Sequence, residues 1–290
     1  RGAGGPGDGD AADAVGALRI FVLPRHVVAR AGGEHLDVVL RGEAVTVGDA
    51  LASLVYVTNW RFIAAGTSYF DLVASPSPVK HLWSLAIEEQ FYLVWPAVLA
   101  VAHRWGRRRA TVSVTLVLTV LSLLIGIHLT DTSPTWAYFA PWSRAWELLL
   151  GASCALLWHR RRRAFGIIGW IGVGVIVIGA LTFDRHTNFP GTAALLPTLG
   201  TVAVLVSIDG DRSTRRLLSM RPLQWLGSRS YTLYLWHWPV LVLLRERVAS
   251  PGVAWRIGAV CAALVLAEVT TRTVEQPIRR HQRLVRSSGW

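Results

Sequence analysis

Residues 111–127 read Thr111-Val-Ser-Val-Thr-Leu-Val-Leu-Thr-Val-Leu-Ser-Leu-Leu-Ile-Gly-Ile127 and contain no charged side chain. Phe165–Phe183 and Gly191–Ile208 are equally free of charge. A hydrocarbon layer about 30 Å thick is crossed by roughly 20 residues of helix, so each block predicts a membrane span. Four further apolar stretches carry charges towards their ends, or a histidine inside. Together they predict seven spans, near 83–102, 111–130, 142–158, 165–183, 191–208, 229–246 and 252–271. The fold class that follows is all-α, a polytopic transmembrane helix bundle.

The rest of the chain agrees with this reading. It has 290 residues, 52% hydrophobic and 17% charged, with a net charge of +12 and a mean hydropathy of +0.39. Two cysteines, Cys154 and Cys261, exclude a disulfide scaffold; both fall in predicted spans, where they read as small buried residues. The basic residues form four clusters: Arg104 with Arg107–Arg109; Arg160–Arg163; Arg212, Arg215, Arg216 and Arg221; and Arg279, Arg280, Arg283 and Arg286. Long apolar blocks separate them, which excludes a continuous nucleic-acid-binding face. In the seven-span order all four fall on one side, the pattern of arginine-rich cytoplasmic loops. The expected organisation is an N-terminal segment 1–48, partly disordered in its glycine- and aspartate-rich start; an extracytoplasmic loop 49–82; the bundle 83–271; and a basic cytoplasmic tail 272–290. The expected location is the inner (plasma) membrane, with the C-terminus in the cytoplasm.

Polar side chains inside spans mark functional sites. At about 100° per residue, His81, Ser84, Glu88, Tyr92 and Trp95 fall within roughly 80° of arc and form one stripe. Pro96, just below, is positioned to kink the helix and free a carbonyl. Arg144 and Glu147 stand at i, i+3 and can pair, leaving guanidinium donors for a substrate oxygen. In the sixth span Ser230, Tyr234 and His237 share a face within roughly 60°. The bland alternatives are an interfacial aromatic belt for the stripe, a helix anchor for the Arg–Glu pair and a core hydrogen bond for His237. Glu275-Gln-Pro277 with Arg279 reads as a helix stop. Glycines 166, 169, 172 and 174 read as helix-packing positions, not a phosphate loop. No metal-ligand spacing and no internal repeat is present.

These segments, in order, resemble the acyltransferase-3 family of bacterial integral-membrane acyltransferases. The resemblance runs from about Asp49 to Arg280. It rests on Tyr56-Val-Thr-Asn59-Trp60, His81-Leu-Trp-Ser84-Leu-Ala-Ile-Glu88-Glu89-Gln90-Phe-Tyr92, Arg144-Ala-Trp-Glu147-Leu-Leu-Leu-Gly151, Phe189-Pro190-Gly191, Gly227-Ser-Arg-Ser230-Tyr231-Thr-Leu-Tyr234-Leu-Trp-His237-Trp-Pro239 and Glu275-Gln-Pro277. It implies about ten spans, of which these are the last seven, and transfer of an acyl group, usually acetyl, from acyl-CoA to a hydroxyl of a saccharide or cell-envelope glycan. The donor is a substrate, and no bound cofactor or metal is implied. The expected partners are acyl-CoA (acetyl-CoA), a glycan acceptor and membrane lipid. The resemblance points to Ser84, Glu88, Arg144, Glu147 and His237 as catalytic candidates, and to His81, Tyr92, Ser230 and Tyr234 as substrate-binding ones.

The family's usual base, a histidine in its first span, has no counterpart here. Arg25-His26 and His35 lie in the unmatched segment before Asp49 and do not inherit the role. That segment reads as a shifted frame or a degenerate remnant, and an inactive, truncated enzyme is therefore one alternative. A membrane transporter is the other, since intramembrane polar residues also mark transport pathways.

Overall fold

A computed structural model describes residues 47–67, 77–157, 166–184, 187–208, 210, 212–245 and 252–280. The expectations for residues 1–46, for Arg160–Arg163 and for the tail beyond Arg280 lie outside the described residues. Those described are helical, with no strand among them. Residues 47–54 form a helical turn leading to α1 (Thr58–Ala64). Then come α2 (Leu82–Thr132), α3 (Pro134–Phe139), α4 (Pro141–Leu157), α5 (Gly166–Thr182), α6 (Leu195–Ser207), α7 (Arg212–Leu218), α8 (Arg221–Gly227), α9 (Ser230–Arg245) and α10 (Val253–Thr270). A π-helical turn, Thr271–Glu275, joins α10 to α11 (Gln276–Arg280).

α2 counts 51 residues, and a straight helix of that length would run about 76 Å. It is not straight. Gly106 (φ −153°, ψ 20°) and Arg107 (φ 52°, ψ −140°) leave helical geometry. Trp83, at the start of α2, packs its ring 5.2 Å from Phe139, beyond the end of α2. The two halves therefore fold back on each other, and α2 holds the first two spans. The reversal at Gly106–Arg107 falls in the 103–110 loop expected between the first two spans, whereas the kink expected at Pro96 is absent, the helix running on through it.

The second half of α2 buries Thr111, Thr115, Thr119, Ser122, Gly126 and Thr130. It exposes Val117, Val120, Leu121, Leu124 and Ile125. α10 likewise buries Ala259, Ala263 and Ala267 and exposes Ile257, Val265 and Val269. Small residues inside and large apolar ones outside is the pattern of a helix whose solvent is lipid. The buried threonines return their hydroxyls to carbonyls one turn back: Thr115 to Thr111 at 2.7 Å, Thr119 to Thr115 at 2.7 Å and Thr130 to Gly126 at 2.8 Å. Cys154 is half-buried and Cys261 exposed, so Cys261 departs from the buried position expected for it.

The helices alternate in direction. The Trp146 N–H donates to Ser122 Oγ at 2.9 Å near the start of α4, and Arg108 donates to the Leu156 carbonyl at 3.0 Å at its end. Trp170 of α5 donates to Ser213 of α7 at 2.9 Å, and Arg215 to the Ile208 carbonyl at 3.2 Å. Arg229, beside the start of α9, and Arg272 both pair with Glu268 near the end of α10. Arg108 thus lies at the far end of α4 from Trp146, Arg215 at the junction of α6 and α7, and Arg229 and Arg272 where the start of α9 meets the end of α10. α2 and the continuous stretch Val253–Arg279 are each long and apolar enough to cross a membrane, with α5 and α6 as shorter apolar helices.

α5 and α6 touch backbone to backbone. A Cβ built on Gly172 would lie 2.5 Å from the Gly200 carbonyl oxygen, whereas one on Gly174 meets nothing within 4 Å. The packing role expected of these glycines thus holds for Gly172 and not for Gly174. Gly172→Val is expected to destabilise the bundle by about 1–3 kcal/mol through overpacking, with Gly174→Val near neutral. Thermal unfolding in detergent reads the difference, and equal midpoints would refute the close approach.

Candidate functional site

Two polar clusters form around the first turn of α2. The first faces α9. Tyr234 donates its phenol to the His81 carbonyl at 2.5 Å. That hydrogen is committed, because a carbonyl only accepts. Ser84 Oγ, 2.8 Å from Tyr234 Oη, is therefore the donor in that contact. His237 Nδ1 lies 2.7 Å from the Tyr234 carbonyl. The same reasoning puts the His237 hydrogen on Nδ1 and leaves Nε2 with a lone pair in the neutral ring. The His81 ring stands 5.3 Å from His237 and 5.0 Å from Tyr234, centroid to centroid.

His81 occupies the turn before α2, outside the span, and is 7% exposed. Neither of its ring nitrogens has a hydrogen-bond partner among the described residues. Burial, then the facing His237, lower its pKa to about 4; carbonyls of Leu235, Tyr234 and Pro78 pull weakly the other way. His81 is neutral at pH 7.

Ser230, Tyr234 and His237 line one recess between α9 and α10, of about 640 Å³, otherwise walled by residues such as Leu241, Ala263 and Leu264. The shared face read from the periodicity is present. The α2 stripe, by contrast, divides. His81 and Ser84 meet α9, while Glu88 is exposed. Tyr92, 56% exposed, lines a separate recess of about 970 Å³ with Trp60, Gln90 and Trp142. A stripe on one helix is a direction, and which part of it meets a neighbour depends on where that neighbour crosses.

The second cluster faces α3 and α4. Arg144 Nη2 donates to Glu147 Oε2 at 3.0 Å, as the i, i+3 spacing predicts. Three rings cover the guanidinium, Trp83 at 5.8 Å, Tyr138 at 5.7 Å and Phe189 at 5.3 Å from its carbon. Such cation–π contacts strengthen where water is excluded. Arg144 Nη1 and Glu147 Oε1 are buried without a partner among the described residues.

Sequence reasoning did not find this aromatic cage, because its rings come from α2, α3 and the loop before α6. It also missed the pairing of Arg229 with Glu268. The motif residues Asn59, Trp60 and Gln90 turn out to form a staple. Gln90 donates to the Tyr56 carbonyl at 2.7 Å and to Asn59 Oδ1 at 3.0 Å, accepts from Trp60 Nε1 at 3.2 Å, and Asn59 donates to the Phe139 carbonyl at 3.2 Å. They tie α1 to α2 and α3.

Tyr234→Phe keeps the ring and removes the hydroxyl between Ser84 and His81. A partly buried hydrogen bond lost this way costs about 1 kcal/mol. A lowered thermal midpoint in detergent is expected; an unchanged midpoint would mean the link does not hold α9 to α2.

Comparison with known proteins gives a consistent answer. The family model described as an acyltransferase domain matches residues 50–272. The peptidoglycan O-acetyltransferase OatA of Listeria monocytogenes is 33% identical over 251 residues, 81% of this chain and 40% of that protein. The O-acetyltransferase OatA of Staphylococcus aureus is 33% identical over 249 residues, 80% of this chain and 41% of that protein. The chain thus spans about two fifths of the length of these curated relatives. No solved structure matches. With the ordered motifs folded onto one helical bundle and the family match covering most of its length, this chain belongs to the acyltransferase-3 family.

Proposed function

We infer that this chain is the membrane-embedded part of an O-acyltransferase that moves an acyl group, acetyl for preference, from acyl-CoA to a hydroxyl of a cell-envelope glycan. The observation that carries the reading is the Ser84–Tyr234–His81 link with His237 against it. It unites two motif segments 150 residues apart and leaves a histidine nitrogen with an open lone pair. The relatives' names, peptidoglycan O-acetyltransferase and O-acetyltransferase, support a glycan acceptor.

The arginine-rich end is the cytoplasmic one by the positive-inside rule, which puts the C-terminus inside and the segment 49–82 outside. Acyl-CoA approaches from the arginine end and the glycan from the other. His237 Nε2 takes the proton of the acceptor hydroxyl. The oxygen attacks the thioester carbonyl carbon, the carbon–sulfur bond breaks, and the leaving thiolate recovers the proton as free CoA. Ser84 and Tyr234 are positioning residues that hold His81 and His237 in place. Ser230 lines the approach, and Tyr92 contacts substrate from the neighbouring recess. Arg144, fixed by Glu147, offers a donor to a substrate oxygen in surroundings of low dielectric. Glu88 orients the acceptor from the open side of the stripe.

The test is transfer of label from radiolabelled acetyl-CoA to peptidoglycan strands by the chain in membrane vesicles. His237→Ala is expected to lower kcat by about 10²- to 10⁴-fold, the usual contribution of a general base, with insertion unchanged. Glu88→Ala is expected to abolish transfer in the inserted protein, and retained transfer would remove Glu88 from the site. Solute flux without any labelling of glycan would instead mark a transport pathway.

A further inference from the structure

We propose that the Arg144–Glu147 pair is a subsite for a non-reacting hydroxyl of the acceptor glycan, and not a clamp for the acyl-donor carbonyl. The inference rests on the acyltransferase reading and specifies which of its two substrates this cluster takes.

The pair is already internally satisfied at one contact, Nη2 to Oε2 at 3.0 Å. Its buried atoms without partners among the described residues are a donor nitrogen, Arg144 Nη1, and an acceptor oxygen, Glu147 Oε1. The side chains are 14% and 25% exposed, so bulk water does little to meet either need. An unsatisfied buried polar group is costly, and more so when it is charged. A ligand that relieves both must accept one hydrogen bond and donate another.

The candidate ligand groups divide on that requirement. A thioester carbonyl accepts but cannot donate, so it would meet Nη1 and leave Oε1 unpaired. A phosphate of the donor nucleotide would also meet Nη1, but it would place its negative charge beside the Glu147 carboxylate. The pair carries no net charge to offset that repulsion. A sugar hydroxyl does both tasks: its oxygen accepts from Nη1 and its hydrogen goes to Oε1.

The surroundings fit the same ligand class. Trp83, Tyr138 and Phe189 cover the guanidinium. They leave the surroundings of the pair largely apolar. The cluster lies at the start of α4, at the opposite end of that helix from the Arg108–Leu156 contact, on the side from which the proposed function brings the glycan. A glycan carries many hydroxyls, so one held here leaves another for His237. Binding a remote part of the substrate in this way orients the reacting part.

The test uses the full chain in membrane vesicles, with radiolabelled acetyl-CoA and peptidoglycan strands, and compares wild type with Glu147→Gln. The variant keeps size and removes the anionic acceptor. The expected result is a glycan KM raised roughly tenfold, the scale of one charged hydrogen bond, with the acetyl-CoA KM unchanged. A rise in the acetyl-CoA KM alone would assign the pair to the donor and overturn the proposal. Unchanged values for both would leave the pair a helix anchor and overturn it too.

Binding of peptidoglycan disaccharide to the detergent-solubilised chain, read by calorimetry without any donor, separates this inference from the functional reading. Weaker binding by the variant supports the subsite even if wild type transfers no label. Equal binding, or no binding by wild type, refutes the subsite whatever the activity. Should Glu147→Gln fail to insert, Glu147→Asp, which keeps the charge and withdraws it by one methylene, carries the same comparison.

Discussion

The close approach of α2 and α4 along the stripe from Thr111 to Thr130 holds the rest of the structure in place. Lipid tails are as apolar as leucine, so the hydrophobic effect gives two membrane helices no reason to associate. Close backbone contact and satisfied hydrogen bonds must do it. Gly126 permits the contact: a Cβ there would lie 2.6 Å from the Ser143 carbonyl oxygen. Ser122 then donates to the Trp142 carbonyl at 2.6 Å and accepts from the Trp146 N–H. With α4 docked in this register, Arg144 comes under Trp83 and Tyr138.

The first turn of α2 works on two sides at once. Trp83 and Ile87 join Phe62 and Phe139 in a buried apolar cluster. Ser84, next in sequence, points to α9 and meets Tyr234. Successive helical residues are about 100° apart, so one turn presents an aromatic wall to one neighbour and a hydroxyl to another. The reversal at Gly106–Arg107 makes this arrangement possible, because it returns the chain to the end where α2 began. Trp238, which donates to the Ser77 carbonyl at 3.0 Å, fastens α9 to the turn leading into α2.

Both clusters are economical with charge. The partly buried Arg144 is neutralised by its own helix neighbour and faced by three rings. His81 is kept neutral by burial. An unpaired ion in such a place would be strongly disfavoured. What remains available is hydrogen bonding: a lone pair on His237 Nε2, and one donor and one acceptor on the Arg144–Glu147 pair.

Much of the fold was legible along the chain. Charge-free blocks of span length, with arginines between them, are consequences of insertion energetics that act on each segment by itself. The pairing of Arg144 with Glu147 within one helix followed from helical spacing alone. The face shared by Ser230, Tyr234 and His237 followed in the same way. Other features depended on which helices meet. The stripe through His81, Ser84, Glu88 and Tyr92 was correct as a direction, yet only its first turn meets α9. The chain reverses at Gly106–Arg107, inside the loop expected between the first two spans, but the helix runs on through Pro96, where a kink was expected. The partners of Ser84, the rings around Arg144 and the pairing of Arg229 with Glu268 join residues up to 150 positions apart. The sequence by itself thus determined that the chain is a series of apolar helices, in which order they come, and what each carries on its faces, because those properties are local. Only the tertiary structure decided which faces touch, because that depends on how closely small residues let two backbones approach.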